Sequence, residues 1–214
     1  MLLIAASLPD TLWVSGSFIR ESDDGRVSGY FYVKPAKITI LRVVRPVNQI
    51  MYFLPDTLVI YYPEDRKVFK LRSSHRMLEG GMGTFGSAEE NLKRAGFMFV
   101  SAKHLGDTLV KSYRHPQAKM TLRIYTLNGT MVKYLAFGPD GGEVLRVEFG
   151  GIRRVYDDYS FPDTIRTVMH TPGGTYRETY IFHGIAVKSD SQVPDYVRAR
   201  DFPPDVEVIY RGWD

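Results

Sequence analysis

Between Met120 and Tyr125 apolar and polar side chains alternate without a break, with Met120, Leu122 and Ile124 on one side and Thr121, Arg123 and Tyr125 on the other. A period of two is the signature of a half-buried strand. Asn128-Gly129 follows at once, and this dipeptide is the strongest short hairpin signal because both turn positions need positive φ. Further turns are marked by Asp23-Asp24-Gly25, Pro139-Asp140-Gly141-Gly142 and Pro172-Gly173-Gly174. The pattern predicts strands over 11–21, 26–34, 37–44, 48–54, 58–62, 108–114, 119–127, 130–137, 143–149, 164–170 and 175–187. Pro35, Pro46, Pro55 and Pro63 each fall between strands, where a missing N–H does least harm. So many sequential hairpins favour, over a parallel α/β sheet, a mainly β (α+β) chain built on one large curved antiparallel sheet or unclosed β-barrel. The phrase Leu-Pro-Asp-Thr-Leu at 8–12 and 54–58, with Phe-Pro-Asp-Thr-Ile at 161–165, reads as turns feeding strands. No longer repeat surrounds these phrases, which argues against a solenoid or propeller.

At 214 residues, the chain is expected to form a single domain over 1–214. The texture changes over 73–106. Gly80-Gly81-Met82-Gly83 precedes Ser87-Ala88-Glu89-Glu90, a capping box that predicts a short helix running to about residue 95. This segment is expected to be a helical lid or plug. Phe85, Leu92, Phe97 and Phe99 are its candidates for packing onto the concave side of the sheet.

Several kinds of chemistry are missing. The net charge is only +4, with 28 basic residues interspersed among 24 acidic ones, so there is no basic stripe of the kind nucleic acid needs. At most a weak peripheral attraction to an anionic membrane surface is compatible with that charge. The absence of cysteine removes disulfides, thiolate metal sites and thiol nucleophiles. His75, His104, His115, His170 and His183 show no metal-binding spacing, and no phosphate-cradling, dinucleotide or nucleophile-elbow motif occurs. Asp157-Asp158 would point to opposite faces if it lay on a strand. No catalytic, metal or cofactor site is expected, and the chain is read as a non-enzyme. Its first residues, Met1 to Ser7, look like the tail of a secretory hydrophobic region, or equally like an apolar start to the first strand.

What remains is apolar. Phe31, Ile38, Ile40, Phe53, Phe69, Leu71, Leu122, Ile124, Leu145 and Val147 occupy alternating strand positions compatible with one concave face. They are the candidate ligand-binding residues, and an ordinary packed core would use the same pattern.

Three stretches carry a family resemblance: Gly29-Tyr30-Phe31-Tyr32-Val33-Lys34-Pro35, the run from Arg45-Pro46 to Tyr62-Pro63, and the ending Asp201-Phe202-Pro203-Pro204-Asp205-Val206-Glu207-Val208-Ile209. Their order and spacing resemble the LolA-like superfamily, the periplasmic carriers of outer-membrane lipoproteins and their lipid-binding relatives. The resemblance implies an unclosed barrel with a helical lid over an apolar cavity. By strand position it implies that Ile38 and Ile40 line the cavity, with Phe31 on the neighbouring strand. It also implies a cell-envelope protein, periplasmic or otherwise extracytoplasmic, that shields the acyl chains of a lipid or an acylated lipoprotein. Three features depart from the family pattern. Lys34 stands before the first Pro where the carriers have an Arg that latches the lid, Pro55-Asp56-Thr57 replaces an Asp-Gly turn, and the helix before the first strand is missing or very short. The alternative reading is an envelope interaction or sensor domain with a packed core, binding a protein partner on its curved sheet.

Overall fold

The computed structural model describes residues 8–212 except 36, 55–56, 73–91, 94, 158 and 200. The strands are β1 (Leu12–Ser22), β2 (Gly25–Lys34), β3 (Ile38–Arg45), β4 (Gln49–Phe53), β5 (Thr57–Tyr62), β6 (Lys67–Arg72), β7 (Met98–Leu105), β8 (Thr108–His115), β9 (Met120–Leu127), β10 (Thr130–Phe137), β11 (Glu143–Gly150), β12 (Arg153–Tyr156), β13 (Tyr159–Phe161), β14 (Thr164–Thr171), β15 (Gly174–Ser189) and β16 (Glu207–Arg211). A 3-10 turn over Asp190–Gln192 and a single-turn helix α1 (Asp195–Arg198) follow β15.

Fourteen of these strands form one sheet in the order β16-β6-β5-β4-β3-β2-β1-β15-β14-β11-β10-β9-β8-β7. Antiparallel hairpins generate almost all of it, as the turn chemistry predicts. At the β9–β10 turn, Asn128 and Gly129 both take positive φ, 49° and 81°, which matches the right-handed twist of the flanking strands. β7 and β16 are the two edges, so the sheet is curved but unclosed.

The exception is β16, which pairs with β6 in parallel. It gets there because the chain leaves β15 and crosses the sheet as a strap. Val193 and Val197 are buried on the way, and Tyr196, Phe202 and Val206 pack beside them against Trp13, Tyr32, Ile38, Ile40, Ile50, Tyr52, Val59 and Val68. We call this face the outer one. An ion pair of Arg66 with Asp205 ties down the far end of the strap.

The inner face carries a separate and larger core, centred on Phe18, Phe31, Tyr180 and Phe182 from β1, β2 and β15. It reaches Leu41 and Val43 on β3 in one direction and Tyr113 on β8 in the other. The β12–β13 hairpin forms its own two-stranded sheet and brings Tyr159 and Phe161 into this core.

The expected helical lid over 73–106 is corrected in its second half. Residues 98–105 are strand β7, hydrogen-bonded along β8, because Gly106 at φ 57° closes a tight hairpin with Thr108 that extends the meander. Within the described residues the helix is reduced to Leu92 and Lys93. It ends with Phe97 N–H donating to the Leu92 carbonyl (2.9 Å) and Gly96 N–H to the Lys93 carbonyl (3.0 Å). With Gly96 at φ 85°, this is the paired closure that ends many helices. The Gly80–Gly83 run and the capping box lie outside the described residues.

Candidate ligand-binding face

Register decides which candidate residues meet. Pairing of Phe31 with Leu41 and of Tyr32 with Ile40 sets Phe31 and Ile40 on opposite faces. Ile38 and Ile40 therefore belong to the outer core beneath the strap, not to the inner face, which corrects the expectation that all ten candidates share one side. The other eight do share it. Phe31, Leu122, Ile124, Leu145 and Val147 are buried in the inner core, and Phe53 packs against it. Phe69 and Leu71 follow by register through Ile60 and Leu58 to Met51 and Phe53.

The floor of the inner face is aromatic. Phe31 stacks on Phe161 (centroids 5.3 Å, planes 9° apart) and meets Phe182 edge-on at 5.0 Å, while Phe161 meets Phe182 edge-on at 5.3 Å. β1 lies between β2 and β15, so the Phe31 ring must pass over it to reach Phe182. Gly16 permits this, since a Cβ there would lie 2.8 Å from the Phe31 ring and 2.6 Å from the His183 carbonyl oxygen. Tyr159 and Phe161, which cap this floor from β13, were not singled out from the sequence. Their only signal was an aromatic turn segment, and nothing local told that it folds inward.

Of the residues expected to pack a lid, Leu92 is fully buried in the inner core and Phe97 packs against it, its ring edge-on to His115 at 5.2 Å. Phe99 does not serve as packing: it is 59% exposed on edge strand β7, touching Tyr113 at 5.7 Å. Phe85 lies outside the described residues.

Towards β4–β6 the inner face stays apolar but is less covered. Leu58, Ile60, Phe69 and Leu71 are half-buried and belong to neither buried core. Two solvent-open clefts of about 330 and 220 Å³ occur among the described residues, the larger of the two beside Lys133, Glu148 and Arg166 and the smaller beside Tyr30, Tyr32 and His183. Neither is an enclosed apolar void.

Along β15 the same-face residues run Phe182, Tyr180, Glu178, Tyr176, so the aromatic floor gives way to polar groups. Arg20 Nε lies 3.6 Å from Glu178 Oε2, a charge contact rather than a hydrogen bond, and Arg20 Nη2 donates to Tyr176 Oη at 3.1 Å. Burial raises the Glu178 carboxyl above its ordinary value, with Arg20 and the Tyr176 hydrogen bond opposing. Burial also drives the Tyr134 and Tyr180 phenols far above theirs, and the Glu178 charge adds to both.

On the outer face Lys34 makes the latch. Its ammonium donates to Asp190 Oδ1 at 2.9 Å and sits 4.6 Å from the centre of the Trp13 ring, while Trp13 Nε1 donates to the same oxygen at 2.7 Å. These bonds to Lys34 and Trp13 hold the Asp190 carboxyl below the usual range. The residue before the first Pro therefore fastens the start of the strap.

Among the described residues no three His, Asp or Glu side chains gather as a metal site, and none of their helices is long and apolar enough to cross a membrane. Asp157 sits in the β12–β13 turn at φ 38°.

No family model matches the sequence, and no curated protein matches it. Solved structures do match. A LolA superfamily protein of Nitrosomonas europaea aligns at TM-score 0.57 and 12% identity, over 89% of this chain and 91% of that one. An outer membrane lipoprotein-sorting protein domain of Vibrio parahaemolyticus aligns at 0.55 and 12%, over 88% and 90%. A DUF1329 family protein of Desulfovibrio piger aligns at 0.57 and 10%, over 88% and 89%. The fold is thus a LolA-like unclosed antiparallel sheet, the resemblance read from the sequence motifs.

Proposed function

We propose that this chain is a non-enzymatic cell-envelope protein that shields the acyl chains of a lipid or lipoprotein against its inner face, in a periplasmic or other extracytoplasmic compartment. The observation that carries the reading is the half-buried apolar strip of Leu58, Ile60, Phe69 and Leu71, continuous by register with the core residues around Phe31. The likeness to a lipoprotein-sorting domain supports it at the level of fold.

The energetics set the mechanism. Burying an acyl chain is worth about 0.8 kcal/mol per methylene, hence roughly 10 kcal/mol for a long chain. Binding is easy and release is hard, so a carrier needs a self-packed empty state that competes with its cargo. Phe161 on its hairpin, with Leu92 and Phe97, provides that competitor: the side chains that fill the face in this structure would be displaced as the chain enters.

The fully packed floor also favours a second reading, a partner-binding envelope domain. Exposed Met98, Phe99, Val100 and Leu105 on edge strand β7 offer the contact. Native mass spectrometry of protein purified from its own cells, followed by organic extraction, separates the two. A stoichiometric lipid or acylated peptide supports the carrier. A clean empty mass, with no uptake of diphenylhexatriene, moves the assignment to the partner-binding domain.

A further inference from the structure

Register gathers on one face cations that the sequence scatters. Arg123, Leu135, Arg146, Val168 and Arg177 pair in turn across β9, β10, β11, β14 and β15, forming one row on the outer face, away from Leu122, Tyr134, Leu145 and Val147 of the inner core. Its cations alternate with aliphatic side chains and stand roughly 10 Å apart, two strand spacings. The next row runs Lys103, Val110, Tyr125, Lys133, Glu148 and Arg166, from edge strand β7 to β14. Beyond it, where the β7–β8 and β9–β10 hairpins close, a third row pairs Leu105, Thr108, Leu127 and Thr130. Leu105 and Leu127 are 62% and 40% exposed.

Most of this charge is left unneutralised. Arg123 lies over the Phe137 ring at 4.7 Å and Lys133 over the Tyr125 ring at 4.6 Å. Among the described residues neither of them, nor exposed Arg166, has a carboxylate within ion-pair distance. The acids nearby are Glu148, Glu143, which holds Arg146 at 2.9 Å, and Asp23, which accepts the Arg177 backbone N–H at 2.9 Å. Elsewhere on the chain Arg20, Arg26, Lys34, Arg66 and Arg153 each meet an acid.

We propose that the outer face of β7–β11, β14 and β15 docks on the anionic head groups of a phospholipid surface, with Leu105 and Leu127 entering the boundary between head groups and acyl chains. Charge alone would suit an acidic protein equally. Exposed leucines at the rim of a basic array, with Tyr125 in the row between, suit a bilayer interface, where apolar matter lies just below the phosphates. The cations also spread over several strands in two dimensions, as a surface of head groups does, instead of following one path. The solvent-open cleft of about 330 Å³ beside Lys133, Glu148 and Arg166 gives a phosphate room to enter between the side chains. Docked this way, the inner face points away from the bilayer, so the proposal stands apart from what that face holds.

The test is co-sedimentation of the whole chain with vesicles of phosphatidylglycerol and phosphatidylcholine in equal parts, against vesicles of phosphatidylcholine alone. The wild type is expected to bind the anionic vesicles and to leave the neutral ones. Arg123→Gln and Arg166→Gln should each weaken binding by about 5-fold, the worth of one cation near an anionic surface, and by about 25-fold together. Arg211→Gln, which removes the same charge from exposed β16, should change it by less than about 2-fold. Leu105→Ser with Leu127→Ser should abolish the part of the binding that survives high salt. All these side chains are exposed, so an unchanged thermal midpoint is expected to exclude misfolding as the cause. No binding to anionic vesicles overturns the proposal, as does a loss in Arg211→Gln equal to that in Arg123→Gln. Binding of polyglutamate with the same arginine dependence, and none of vesicles, would assign the face to an acidic protein instead.

Discussion

Replacing Phe161 by Ala tests whether the β12–β13 hairpin is a working part of the inner core. The side chain is fully buried and sits between two rings, stacked on Phe31 at 5.3 Å and edge-on to Phe182 at 5.3 Å. Truncating a buried Phe removes its transfer energy and leaves a void that relaxes only partly, together about 3–5 kcal/mol. Lost ring contacts of about 0.5–1.5 kcal/mol apiece place this site in the upper part of that range. A domain in the middle of the usual range of about 5–15 kcal/mol survives the change. At this size the thermal midpoint should fall by about 8–20 °C. Urea unfolding of wild type and F161A, followed by circular dichroism, gives the difference directly, with an unchanged m-value showing that only stability moved. F161L, which keeps most of the apolar volume, should cost well under half as much. The void between Phe31 and Phe182 is lined by apolar atoms, so it should stay dry and increase diphenylhexatriene uptake in F161A. A loss below about 1 kcal/mol, with probe uptake unchanged, would refute both the packing argument and the role of Phe161 as the competitor of cargo.

Four further outcomes follow from other sites. Gly29→Ala should cost several kcal/mol in urea unfolding, because its Cβ would lie 1.9 Å from the Arg42 carbonyl oxygen, which is backbone and cannot rotate away; a change within about 0.5 kcal/mol would contradict that close approach. Leu92→Asn should destabilise the empty protein by about 2–4 kcal/mol, since the residue is fully buried in the inner core; wild-type stability would remove Leu92 from the closed state. Phe99→Lys should shift stability by no more than about 0.5 kcal/mol while lowering aggregation measured by light scattering, as the ring is exposed on an edge strand. The Asp190 latch gives a pH dependence: the folded carboxyl is depressed, so its contribution is fully present above the ordinary carboxylate pKa of about 3.9 and is lost as pH falls through the lower folded value. Lys34→Met removes the first cause of the depression and should move the acid-induced change in Trp13 fluorescence upward; an unmoved transition would mean that Lys34 does not hold Asp190.

Much of the architecture is written locally. The alternation of Leu122 and Ile124 with Thr121 and Arg123, followed by Asn128-Gly129, specifies β9, β10 and their turn from neighbours in the chain alone. The same kind of evidence produced most of the meander from β1 to β5 and from β8 to β15, and the motifs around Phe31 and Phe202 pointed to the unclosed LolA-like sheet. Strand propensity, turn conformation and side-chain alternation are short-range properties, which is why a single sequence discloses them.

Faces and cores are not short-range. Phe31 and Ile40 look equivalent in pattern, but a residue's side of the sheet depends on register across the Pro35 turn, and the pairing of Lys34 with Ile38 sends Ile38 and Ile40 outward. Arg20 and Glu178 look like surface charges on their own strands and become a half-buried pair only when β1 meets β15, more than 150 residues apart in the chain. Tyr159 and Phe161 read as a turn until the hairpin folds over the floor, and β16 pairs in parallel because the strap carries it across the outer face. The sequence by itself determined eleven of the strands, most of the turns and the class of sheet, but not β6, β7, β12 or β13. Which residues face the ligand side and what fills it were decided by pairings between distant segments, whose energies come from burial that no local window contains.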